Sequence, residues 1–92
     1  MPITLETTIV QASDCLSADV ADEAVLMSTA RSVFVGLNPI GKEIWGRVAT
    51  PCRVDTLCAE LESTHDAPAE KIRADVFAFL NEMLYAGMVV AS

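Results

Sequence analysis

Positive charge is scarce in this sequence. Six Lys and Arg stand against thirteen Asp and Glu, a net charge of −7. Domains that bind nucleic acid unaided usually carry a basic stripe, and a surplus of acid repels phosphate. Glycine and proline are equally sparse, four of each in 92 residues, which argues against a disordered or repetitive linker. Long apolar runs are lacking too. Val33 to Leu37, a strongly apolar run, is interrupted by Gly36, whereas a membrane helix needs about 20 such residues. Residues 1–12 have neither a basic start nor a continuous apolar stretch, so no signal peptide is expected there. Cys15, Cys52 and Cys58 are an odd number with no evident pairing. A reduced, cytoplasmic protein is the simplest expectation.

What the chain does have is apolar side chains, 52% of its residues. That suffices for one compact core, although a chain of this size buries only roughly 60–68% of its unfolded surface. Charge is unevenly spread. Residues 1–30 hold five acids and no Lys or Arg, residues 31–53 hold four cations and one acid, and residues 54–92 hold seven acids and two cations.

The first half reads as strands. Ala24–Ser28 and Ser32–Gly36 are short apolar runs rich in β-branched and aromatic residues, close enough for a hairpin. Leu16–Ala21 is a weaker strand ahead of a turn at Asp22–Glu23. Neither turn contains Gly or Asn, which argues against tight two-residue turns. Residues 1–15 are expected to be an arm, or an extra edge strand around Thr8–Gln11.

The second half reads as helices. Asn38 is a good N-cap and Pro39 suits the first helical position. Ile40, Ile44, Trp45 and Val48 then share one face. Val54, Leu57, Cys58 and Leu61 repeat the pattern in a second helix. Pro68 opens a third and Gly87 closes it. On that helix Ile72, Val76, Phe79, Leu80 and Met83 form the core side, and Arg73, Phe77 and Leu84 widen the arc beyond what one core face needs. Met88–Val90 is read as a short tail folding back on the core.

Motifs that would carry chemistry fail one by one. Gly36–Glu43 fits G-x-x-x-x-G-K, but Glu43 stands where a phosphate loop needs Ser or Thr, and Pro39 removes a backbone donor. Five residues separate Cys52 from Cys58, too many for a usual zinc pair, and Cys58 fits a buried stripe. His65, the sole histidine, has no surrounding nucleophile pattern. No catalytic residue, metal site or cofactor site emerges.

The order of features is more informative. Val25-Leu26-Met27 is followed by Gly36-Leu37-Asn38-Pro39-Ile40-Gly41, then Ile44-Trp45, then Ala74-Asp75-Val76-Phe77-Ala78-Phe79-Leu80, and finally Gly87. Over about residues 16–90 this resembles the PqqD-like family, the recognition elements for ribosomally made precursor peptides (RiPPs). The resemblance implies an α+β, winged-helix-like fold, with a three-stranded antiparallel sheet followed by a three-helix bundle. It implies a non-catalytic protein without cofactor or metal that binds a precursor's leader peptide and presents it to a modifying enzyme. That enzyme would be a radical SAM enzyme in the pyrroloquinoline quinone type, or a leader peptidase and a cyclase in the lasso-peptide type. No nucleic acid or membrane partner is implied, and the chain would be a monomer or weak homodimer.

In that family the leader lies along the third strand, beside the third helix. Carried onto this chain, the resemblance places it against Arg31, Ser32, Val33, Phe34, Val35, Gly36 and Leu37, and against Arg73, Phe77, Leu80 and Leu84. Arg31 and Arg73 there would favour an acidic leader. The alternative, a winged-helix DNA-binding regulator, needs a basic recognition helix. The second helix holds Asp55, Glu60 and Glu62 and no Lys or Arg.

Overall fold

The computed structural model describes residues 3–21 and 23–92. Strands β2 (Cys15–Val20), β3 (Glu23–Ser28) and β4 (Val33–Leu37) form an antiparallel meander. Apolar alternation sets its register: Leu26, fully buried, pairs with Val35, and buried Ala24 pairs with buried Leu37. The opposite face is left to solvent, where Leu16, Val20, Val25 and Phe34 are exposed. Val20 pairs with Glu23, so β2 and β3 are joined by a two-residue turn after all. Ala21 enters the left-handed region there, at φ 57. The six paired rungs of the β2–β3 hairpin hold that conformation, which costs about 1–2 kcal/mol for a residue with a Cβ. The other half of the turn, Asp22, lies outside the described residues.

A second sheet completes the fold. Strand β1 (Thr8–Gln11) lies between β5 (Cys52–Arg53) and β6 (Val89–Ala91). Thr8–Gln11 is therefore a middle strand, not an arm or an edge. Ile9 is its reason: paired with Cys52 on one side and Ala91 on the other, it is 0% exposed. The C-terminal tail folds back by pairing as β6, with Val89 buried and Val90 exposed.

The helices follow the capping signals. Helix α1 (Pro39–Arg47) starts where Asn38 Oδ1 accepts from the Gly41 N–H at 2.8 Å. Helix α2 (Val54–Thr64) buries Val54, Leu57, Cys58 and Leu61. Helix α3 (Ala69–Ala86) buries Ile72, Val76, Leu80 and Met83, and ends on Gly87 at φ 78. A left-handed residue in that position lets the Gly87 and Met88 N–H groups close back onto Leu84 and Met83. Among the described residues, no helix is long and apolar enough to cross a membrane.

One polar network ties α1 and α2 to the loop before α3. Glu43 accepts from Arg47 Nε at 3.2 Å and from His65 Nε2 at 2.9 Å, and Arg47 also pairs with Glu60. Burial pushes the Glu43 carboxyl up, but the hydrogen bonds and charges of His65 and Arg47 outweigh it and hold the group below its usual range. A carboxylate lowered in the folded state stabilises above its unfolded value, about 4.3, and that contribution is lost as pH falls through the folded value. Glu43→Gln is therefore expected to lower Tm at pH 7, with the gap to wild type closing as the pH drops below about 4. Parallel melting curves from pH 7 to 3 would contradict this.

Candidate functional site

Among the described residues, the sheet order leaves β4 with a partner on one side only. Its far side is a row of backbone N–H and C=O groups without strand partners, a template for another extended chain. Successive side chains point to opposite faces. Leu37 is buried and Val33 and Val35 are half-buried against the core, while Phe34 is 68% exposed. The opposite margin, β2, is exposed along nearly its whole length.

What distinguishes β4 is its anchoring to α3 at both ends. Ahead of it, Arg31 Nη1 donates to the Tyr85 carbonyl at 3.0 Å, a favourable place for a cation at a helix C-terminus. The same side chain lies over Gly87, where a Cβ would come within 2.8 Å of Arg31 Nε. Just after β4, Gly41 lies against the Phe79 ring, and a Cβ there would sit 3.0 Å from it.

Beyond the end of β4 a groove of about 590 Å³ opens between α1 and α3. Ile40, Ile44, Ala78 and Phe79 give it apolar walls, and Asp75 and Glu82 stand among its lining residues. Among the described residues, no group of three or more His, Cys, Asp and Glu is placed to hold a metal.

The structure brings some of the expected residues together and separates others. Arg31 and Ser32 occupy the turn leading into β4, and Val33–Leu37 form the strand itself. Leu80 is 0% exposed and belongs to the core, so its side chain is not available for contact. Arg73 is exposed on the flank near α2, where its charge partly offsets the rise that burial and Glu62 give the Cys58 thiol. Phe77 is half-buried, and helix spacing sets it about 160° from Phe79. Leu84 lines a shallow depression with Arg31, Asp14 and Val90 at the C-terminal end of α3.

The α3 wall of this groove is thus Asp75, Ala78, Phe79 and Glu82. Sequence periodicity assigned Phe79 to the core and overlooked the other three. A wheel shows which residues share a face, but not which flank turns toward the strand. The available signal was Gly41, a residue without a side chain one turn into an amphipathic helix, which makes room for a ring.

The family model for coenzyme PQQ synthesis protein D (PqqD) matches residues 23–89. The chain belongs to the PqqD family. The match begins at β3 and takes in β4, all three helices and the first residue of β6, so it contains the open strand and the groove together. Among solved structures, the chain resembles one described as TbiB1 in complex with the TbiA(beta) leader peptide, with a TM-score of 0.79. The two share 19% identity over 87% of this chain and 93% of that one, a likeness of fold. No curated protein matches.

Proposed function

We propose that this PqqD-family chain is a non-catalytic adaptor that captures the leader segment of a ribosomally made precursor peptide by strand addition to β4. The observation that carries the reading is the open margin of β4, held beside α3 by Arg31 and Gly41. Membership of the PqqD family and the leader-bound state of the similar TbiB1 structure support it. The core segment would pass to a radical SAM enzyme, or to a leader peptidase and cyclase. The three unpaired cysteines suit a reducing cytoplasm.

The energetics are adequate. Alternate residues of a five-residue edge strand present both backbone groups outward, for about four to six hydrogen bonds. Each contributes about 0.5–1.5 kcal/mol net, and one or two buried apolar anchors add about 1.5–3 kcal/mol each. Against an association cost of about 4 kcal/mol, the middle of these ranges leaves about 4 kcal/mol, near-millimolar binding, and their upper halves are needed to reach tens of micromolar or tighter.

Selection of displayed random twelve-residue peptides on the immobilised chain supplies a probe. Titrating a selected peptide into ¹⁵N-labelled protein is expected to move the amides of Val33–Leu37 and of the 75–82 stretch of α3. Shifts centred on β2, with β4 unmoved, would sink the reading.

A further inference from the structure

This inference rests on the strand-addition reading and specifies its ligand. We infer that the peptide docked on β4 carries a lysine or arginine that enters the α1–α3 groove, its stem on Phe79 and Ile40 and its head at Glu82.

Charge complementarity decides the occupant. The charged residues lining the groove are Asp75 and Glu82, and no cation lines it among the described residues. Asp75 already has a partner, Lys71 Nζ at 3.0 Å. Glu82 has no ion-pair partner among the described residues. The two arginines that would have favoured an acidic leader do not line the groove. Arg31 is held at the other end of β4 by the Tyr85 carbonyl, and Arg73 lies on the flank toward α2. A net charge of −7 adds a long-range pull on cations.

Shape selects the side chain. An apolar floor with an acid at its rim fits a long aliphatic stem that ends in a charge, the arrangement in which Lys and Arg cover apolar surface while the head stays in water. The groove begins at Asn38, immediately after β4. At about 3.3 Å per residue, the side chain that reaches it stands one or two positions beyond the paired stretch.

The test repeats the displayed-peptide selection on wild type, Glu82→Lys and Glu82→Gln, with melting curves to confirm that each variant is folded. Wild type is expected to enrich Lys or Arg at one fixed position next to the strand-forming segment. Glu82→Lys is expected to erase that enrichment or turn it to Asp and Glu, and to weaken the best wild-type peptide about five-fold, the effect expected for an exposed charge. Glu82→Gln should fall between. Selected peptides that shift the β4 amides but show no basic preference, with equal affinity for Glu82→Lys, overturn this inference and leave strand addition standing. Selected peptides that leave the β4 amides unmoved overturn both.

Discussion

Replacing Phe34 and Val35 by proline, one at a time, is expected to separate peptide capture from folding. Backbone N–H groups alternate in direction along a strand. One of these two residues therefore donates to β3 and the other faces the open side. Proline removes the donor in either case. Where the lost donor pointed to β3, an internal rung breaks and the melting temperature falls. Where it pointed outward, the sheet keeps its bonds and the incoming strand loses one, together with the room that the proline ring now fills. The variant that melts like wild type is expected to bind a selected peptide at least tenfold more weakly, the equivalent of about 1.4 kcal/mol. If the fold-retaining variant binds as wild type does, the peptide does not use β4.

The second large effect concerns stability. Ile9→Ala is expected to destabilise the protein by about 2–5 kcal/mol, the range for truncating a buried Ile in a close-packed core. Small domains have only about 5–15 kcal/mol in total. Each kcal/mol moves Tm by roughly 4–8 °C at this size, so a drop of 10 °C or more should appear in a melt followed by circular dichroism. Ile9 sits between Cys52 and Ala91 in the register of the second sheet. The change therefore loosens the C-terminal strand as well as its own. A loss below about 1 kcal/mol would mean that β1 is dispensable, as an edge strand or arm would be.

Much of this architecture was written locally. Asn38–Pro39 and Gly87 announce helix ends because each satisfies backbone groups through its own side chain or its own φ. The alternation of Val33, Val35 and Leu37 places β4 in a half-buried sheet. Of the second sheet only a strand around Thr8–Gln11 was legible, as one alternative; its two partners are two and three residues long, too short for a period of two to register. Its pairing joins Ile9 to Ala91, a contact made by tertiary packing. The tight turn at Ala21 was missed for a similar reason: the paired strands impose a φ that the residue itself disfavours.

The candidate site divides along the same line. Its strand was readable from composition. Its helical wall was not, because the choice between the Phe77 flank and the Phe79 flank depends on where Gly41 brings α1 against α3. Leu80 is the sharpest instance. It belongs to the stripe that the family resemblance pointed to, and it lies wholly inside the core.

For a peptide docked on β4 as proposed, the anchoring at Arg31 and at Gly41 bears on where disorder is lost. The receiving strand is already paired with β3 along its five residues, so in that docking the ordering penalty would fall mainly on the guest. Guest stiffness would then be the dial for residence time: glycine-rich segments would pass quickly, and segments that hold an extended shape unaided would linger.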